Sequence, residues 1–159
     1  MPATVQQIVS GIQNLTNTNT EIIAALEKTT IVNVIFQGPA TVGAMNKYCQ
    51  QMSTEVLQPL YDNTPALTDD AQAKQIADVV RDFVGVAKKR NDLFVAKSGL
   101  YAKMFFGQPI AAGLRVMEGS GDTLMFMLMD YAPSQRAAIQ EQAKIWSAGM
   151  NAAIAAYSS

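Results

Sequence analysis

The sequence contains no histidine, and this absence excludes several kinds of chemistry at once. Neither a Ser-His-Asp nor a Cys-His catalytic site can be built without an imidazole, and the commonest metal ligand is missing. The chain has one cysteine, Cys49, so no disulfide can form within it. Chains without disulfides occur inside and outside cells, so cysteine usage leaves the compartment open.

Long apolar runs and a strong net charge are also missing. No stretch reaches the roughly 18 to 20 apolar residues of a membrane-spanning helix, so we expect no transmembrane segment. The formal net charge of −1 gives no field that would attract nucleic acid, and we expect no nucleic-acid partner. The first residues, MPATVQQIVSG, do not have the pattern of a signal peptide. We expect either a cytosolic protein or a mature chain that carries an added Met1.

Motifs of enzymes are absent as well. The sequence has no glycine-rich phosphate loop, no CxxC pair and no nucleophile elbow. Asp69 and Asp70 are neighbours in the chain, which is typical of a helix start and not of two facing carboxylates. We therefore predict a protein that is not an enzyme and that holds no cofactor or metal.

Apolar residues at helical spacing dominate what is present. The chain has 159 residues, of which 49% are hydrophobic and 16% charged, as expected of one folded domain. Steps of three and four separate apolar residues from Thr4 to Thr29, in residues 40–62, from Thr68 onward and from Pro133 to the end. This pattern predicts an all-α, single-domain bundle of about five helices over residues 1–159, with an apolar interior cavity.

Glycine and proline predict where these helices end. Pro59 should kink or end the second helix, and Thr68 is a good N-cap for the third. We expect a break at residues 107–109, where Gly, Gln and Pro follow one another, so that a short helix precedes a longer one. That longer helix contains two glycines in residues 119–121, where it could bend.

The segment TTIVNVIFQG, residues 29–38, is rich in β-branched residues and resembles a strand. No second strand-like segment exists to pair with it. We therefore interpret it as helix or as an extended linker, closed by Gly38 and Pro39.

Methionine is the most unusual feature of the interior. The chain has nine methionines, and they are concentrated in a few places, above all in LMFMLM, residues 124–129. Methionine is flexible and polarisable, so it suits a cavity that accepts a flexible apolar ligand. For each methionine alone, a plain core position is the better interpretation, and only their concentration favours a cavity. We predict that the cavity wall consists of Met45, Met52, Met104, Phe105, Met117, Leu124, Met125, Leu128, Trp146 and Met150.

Polar residues within the helical pattern are candidates for the ligand's head group. Asn19 occupies an apolar seam position in the first helix, and Gln13 and Thr16 are near it. These three residues could hold a ligand carboxylate, although a seam Asn also fixes helix register, which is the more conservative interpretation. The run KKRN, residues 88–91, is either attracted to anionic lipid surfaces or, as we favour, a solvated helix end.

Three stretches resemble the fungal hydrophobic surface-binding protein A family, which includes cell-wall galactomannoproteins. They are VQQIVSGIQNLTN at the start, VAKKRNDLFVAKSGL at residues 86–100 and IWSAGMNAAIAAY at the end. The resemblance implies a secreted or wall-associated helical domain. Some members take fatty acids into the interior of a five-helix domain, whereas others adsorb to hydrophobic surfaces. The segment FFGQPIAAG and the methionine content depart from the family pattern.

The residues and the resemblance together predict non-catalytic binding of a long-chain fatty acid or similar single-chain lipid inside the bundle. The alternative is a secreted or cell-wall mannoprotein that adsorbs to hydrophobic surfaces. Asn14 lies in a glycosylation sequon, NLT, but within a helical pattern. We expect secretion or a cell-wall location, and a cytoplasmic location is left open.

Overall fold

The structure, a computed structural model, describes residues 1–158. Within these residues there is no strand, and the predicted all-α fold is confirmed. The helices are α1 (Val5–Lys28), α2 (Val34–Gln51), α3 (Gln58–Tyr61), α4 (Asp70–Lys103), α5 (Gly107–Tyr131) and α6 (Arg136–Ala156). A π-helical segment, Met52–Leu57, joins α2 to α3 without a break, so the bundle has five long helical units. No helix in the described part of the chain is long and apolar enough to cross a membrane.

Side-chain caps fix the starts of α1 and α4. The Thr4 hydroxyl accepts a hydrogen bond from the Gln7 backbone N–H, while Gln7 Oε1 accepts one from the Thr4 N–H at 2.8 Å. This is a capping box, which satisfies two backbone donors that the helix itself leaves free. The cap of α4 is Asp69, whose carboxylate accepts from the Gln72 N–H, and not Thr68 as expected. A carboxylate is also favoured by the positive end of the helix dipole.

The β-branched segment is neither a strand nor a linker closed by Gly38 and Pro39. Its first residues form a turn, α2 begins at Val34, and the helix continues through both of these residues. Proline inside a helix removes one backbone hydrogen bond. Gly38 is needed because the Phe106 ring lies against it, and a Cβ there would be 2.5 Å from Phe106 Cδ2.

Pro59 does not stop its helix at once. The π-helical turn precedes it, and the chain leaves helical geometry after Tyr61, close to Asn63, which has φ of 55°. A π turn admits one extra residue into a helix. The helix thus ends two residues beyond Pro59, which is one of the two outcomes expected of this proline.

The break expected at residues 107–109 lies earlier, and no short helix exists there. α4 is a single helix of 34 residues that ends at Lys103. The Phe106 N–H donates to Tyr101 O at 2.9 Å and the Phe105 N–H to Ala102 O at 3.3 Å, with Phe105 at φ of 64°. This is a Schellman cap with phenylalanine where glycine is usual. Pro109 is tolerated because it lies in the first turn of α5.

The helices close into a ring in which α4, the longest, packs against α1 and α6. α5 packs against α6 and α2, and α2 returns to α1. α5 runs unbroken past its two glycines, so the bend considered there is not needed for packing. The apolar face of every helix points into this ring, and the apolar core lies at its centre. The predicted interior cavity stays a prediction.

Candidate functional site

Most of the predicted wall residues lie together in the interior. Those that are buried are Met45, Met52, Met117, Leu124, Met125, Leu128, Trp146 and Met150. Met104 is half-buried against the core. Phe105 is 91% exposed, so its expected place on an interior wall is wrong: the left-handed Schellman conformation turns its side chain to solvent. Whether the others contact a ligand stays a prediction.

The LMFMLM stretch is not buried on all sides. Leu124, Met125 and Leu128 face the core, but Phe126 is 71% exposed. Together with Met129, Phe126 and Met125 line a groove of about 360 Å³ between α5 and α6. The stretch therefore has one side in the core and one side on an apolar surface groove.

Interior side chains occupy spaces that glycines leave open. A Cβ on Gly113 of α5 would lie 2.6 Å from Met45 Cε of α2. A Cβ on Gly121 would lie 2.8 Å from Trp146 Nε1 of α6, and two other atoms of the indole would be closer still. Methionine can rotate away from its position, whereas the indole is rigid. Parts of the interior are thus filled by side chains of very different mobility.

A fully buried arginine, Arg90 of α4, lies in this interior. Its Nη1 donates to Asn19 Oδ1 at 2.7 Å. Its Nε and Nη2 donate to Asn91 Oδ1 at 3.1 and 2.9 Å, and Nη2 also faces Met150 Sδ at 3.2 Å. These acceptors are all neutral. No carboxylate of residues 1–158 forms an ion pair with Arg90, although a buried charge is normally paired.

Aromatic rings surround the guanidinium. Arg90 Cζ lies 5.5 Å from the ring centroids of both Tyr48 and Trp146, which is within the range of cation–π attraction. Phe83 stacks on Tyr48 at 6.4 Å and on Trp146 at 5.5 Å between centroids. The three rings form a row that holds the arginine in place from α2, α4 and α6.

Three buried polar atoms near Arg90 donate a hydrogen bond to no acceptor in the described chain: Asn19 Nδ2, the Tyr48 hydroxyl and Trp146 Nε1. Two of them can only donate, and the hydroxyl can donate as well. Burial raises the pKa of Tyr48, with Arg90 acting in the opposite direction, so the phenol keeps its proton. Burial lowers the pKa of Arg90. The centre of the bundle therefore has a surplus of donors and positive charge.

The three predicted head-group residues lie in different environments. Asn19 is buried and contacts Arg90. Gln13 lies on the exposed face of α1, and the Thr16 hydroxyl donates to Ile12 O of its own helix at 3.2 Å. These two are therefore not placed for an interior head group. The bond to Arg90 also supplies the partner that a seam amide needs, as the register interpretation requires.

Sequence reasoning missed Arg90, Tyr48 and Phe83 as parts of the site. The run KKRN is not a solvated helix end: it lies in the middle of α4, and Arg90 and Asn91 are buried. The signal was available, because Phe83, Ala87 and Phe94 belong to one apolar seam. Arg90 fills the position that this seam lacks, four residues before Phe94.

Metal chemistry finds no support in this geometry. Within residues 1–158 there is no cluster of three or more His, Cys, Asp or Glu side chains that could hold an ion. Cys49 is half-buried, and burial raises the pKa of its thiol, so it is not activated as a nucleophile. What the arrangement can do is bind a group that brings acceptors or negative charge.

The fold places the chain in a class of helical bundles that is known from solved structures. AFMP4P in complex with palmitic acid matches with a TM-score of 0.87 and 17% identity, over 97% of this chain and 99% of that one. Ligand binding domain 1 of Penicillium marneffei MP1 protein, complexed with arachidonic acids, matches with a TM-score of 0.72 and 17% identity, over 96% and 97%. Domain 2 of the same protein, complexed with multiple arachidonic acids, gives 0.74 and 15%, over 99% and 97%.

These likenesses establish that the chain has the fold of the AFMP4P and MP1 domains. No protein-family model matches the sequence, and no curated protein sequence matches it either. The fold is thus shared at an overall sequence identity of 15 to 17%.

Proposed function

We propose that this protein binds a long-chain fatty acid or a similar single-chain lipid in the interior of the bundle, without catalysis. The observation that carries this proposal is the methionine-rich interior within the fold of domains that hold palmitic and arachidonic acids. Burial of the acyl chain would supply the affinity, at about 0.8 kcal/mol for each methylene removed from water.

Movement of side chains would make room for the acyl chain. Met45 rests against Gly113, and its flexible end can rotate without backbone movement. Met52, Met117 and Met150 are buried around the same interior and have the same freedom. A lipid chain would replace these contacts with its own, so the interior is adaptable in shape.

The groove between α5 and α6 supports a route of entry. It is lined by Met125, Phe126 and Met129, and its opposite side includes Ala143 and Lys144. Met125 belongs both to this groove and to the core. A lipid on the groove therefore needs only a small separation of α5 from α6 to reach the interior.

The direct test is organic extraction of the purified protein with identification of the lipid, followed by titration of the delipidated protein. Palmitic and arachidonic acids are titrated while native mass spectrometry counts the bound molecules.

Gly113→Leu should weaken binding because the new side chain competes with the acyl chain beside Met45. Gly85→Leu is the matched control, since nothing lies within 4 Å of a Cβ there. A wild-type protein that yields no lipid and takes up neither acid would refute the proposal.

Adsorption to hydrophobic surfaces is the second candidate function. An apolar tip consisting of the exposed residues Ile31, Val32, Ile35, Phe36 and Phe105 supports it. Contact of Phe106 with Gly38 brings the two segments of this tip to the same end of the bundle. The double variant Val32→Ser, Phe36→Ser should then adsorb less to polystyrene and lower surface tension less, with lipid uptake unchanged. Equal adsorption by variant and wild type would rule the tip out.

A secreted or cell-wall location, and membership of the hydrophobic surface-binding protein A family, are part of the same proposal. The fold shared with the ligand-binding domains of Penicillium marneffei MP1 protein supports this relationship. Fractionation of the producing cells tests the location. Protein found only in the cytosol would contradict it.

A further inference from the structure

Within residues 1–158, the positive charge of Arg90 has no partner of opposite sign. Taking a guanidinium out of water is costly, and neutral acceptors compensate for only part of that cost. Its partners are two asparagine side chains and one thioether, from Asn19, Asn91 and Met150. A plain core would place methionine or leucine at this seam position. The arginine is therefore explained best by an anion that the site receives.

The buried polar atoms around Arg90 also favour an anion. In the described part of the chain, Asn19 Nδ2, the Tyr48 hydroxyl and Trp146 Nε1 lack acceptors, and all three side chains are at least nine-tenths buried. An ionised carboxylate has two oxygens with about four acceptor positions and no donor. An alcohol or ester would satisfy fewer of these donors and would leave the positive charge unpaired. The chemistry of the site thus matches a carboxylate.

The side of the guanidinium that faces Met150 has the weakest hydrogen-bond partner. Nη2 makes its contact there with a sulfur atom, which is a weak acceptor on a flexible side chain. Nη1 makes one hydrogen bond, to Asn19, and carries a second N–H. Rotation of Met150 would expose the edge formed by Nη1 and Nη2, which is the edge that binds carboxylates with two parallel hydrogen bonds.

Resting on the lipid-binding function proposed above, we infer that Arg90, assisted by Tyr48 and Trp146, anchors the carboxylate of the bound lipid in the bundle interior. The protein then selects free fatty acids over neutral lipids of the same chain length. The acyl chain of the bound fatty acid lies along the methionine-rich wall, and its carboxylate replaces Met150 at the guanidinium. The residues come from α2, α4 and α6, so the site exists only in the folded bundle.

The experiment compares palmitic acid with 1-hexadecanol, which has the same chain length and no charge. Delipidated wild-type protein should bind the acid at least about tenfold more tightly, since charge-assisted hydrogen bonds are about twice as strong as neutral ones. Arg90→Met should abolish this preference, because it weakens binding of the acid much more than binding of hexadecanol. Arg115→Met, the same change at an exposed arginine, should behave as wild type.

Two further measurements keep the test decisive if Arg90→Met does not fold. Tyr48→Phe removes only the unpartnered hydroxyl, and it should lower affinity for the acid more than for the alcohol. The chain has one tryptophan, so its single indole N–H resonance reports directly on Trp146. That resonance should shift downfield with palmitic acid and stay in place with hexadecanol.

The outcomes separate the two proposals. If wild-type protein binds neither compound, the lipid-binding function itself is wrong. If it binds both equally, or if Arg90→Met keeps the preference for the acid, lipid binding stands and the anchor is refuted. An indole resonance that responds identically to both compounds would also refute the anchor.

Discussion

Trp146 should be locked against α5 by the absence of a side chain at Gly121, and a pair of glycine variants tests this. Gly121→Ala would place a methyl group 2.8 Å from Trp146 Nε1, with two ring carbons closer still. Gly119→Ala is the matched control in the same helix, because nothing lies within 4 Å of its Cβ. Both variants replace a glycine of α5 by alanine, so they differ only in the contact with Trp146.

The expected change in the free energy of unfolding is the sum of two opposing effects. Replacing glycine by alanine inside a helix stabilises it by about 0.5–1 kcal/mol in both variants. Only Gly121→Ala adds the cost of overpacking, about 1–3 kcal/mol. We expect the upper half of that range, because the indole is rigid and lies between Phe83 and Arg90. Gly119→Ala should be more stable than wild type, and Gly121→Ala less stable.

Urea denaturation of the lipid-free proteins measures the difference. At about 2–4 °C for each kcal/mol in a chain of this size, thermal melts should separate the pair as well. Fluorescence of the single tryptophan shows whether the ring has moved. Equal stability of the two variants, with unchanged emission, would mean that Trp146 is not fixed against α5, and the packing argument for the interior would fail.

Three more predictions concern single residues outside this contact. Phe105→Gly should raise the free energy of unfolding by about 1 kcal/mol in urea melts, because φ of 64° strains any residue with a Cβ. Loss of stability would show that the exposed ring packs in solution. Tyr101→Phe should cost about 1–3 kcal/mol, since its hydroxyl lies 2.9 Å from the buried hydroxyls of both Thr29 and Thr41. A neutral result in the same melts would contradict that network. Burial raises the pKa of Tyr157, so the folded protein keeps this proton where the unfolded chain, with a pKa near 10.0, loses it. Its contribution should be complete below pH 10.0 and should decline as the pH rises further, and Tyr157→Phe should reduce that decline in melts across this range.

The helices and their inward faces could be predicted from the sequence. Periodicity of three and four depends only on the geometry of one helix, so Ile8, Ile12 and Leu15 indicate the buried face of α1 without knowledge of its neighbours. Asn19 is identified as a seam residue for the same reason. The missing histidine likewise limits the possible chemistry through composition alone.

Helix boundaries were less predictable because glycine and proline have several uses. Gly38 and Pro39 lie inside α2, and the glycine there makes room for the Phe106 ring. The chain instead leaves α4 through Phe105, in a conformation that glycine usually adopts. A local pattern does not reveal which residue a distant ring will approach.

By itself, the sequence determined the helical class, the apolar interior and the concentration of methionine within it. Only the tertiary structure decided that Arg90 is buried among Asn19, Tyr48 and Trp146. The type of a side chain is known from the sequence, but its environment depends on which other helices pack around it. Four residues from α1, α2, α4 and α6 meet there because the bundle closes into a ring. That closure turns a basic residue in a charged run into a buried cation with unpaired donors beside it.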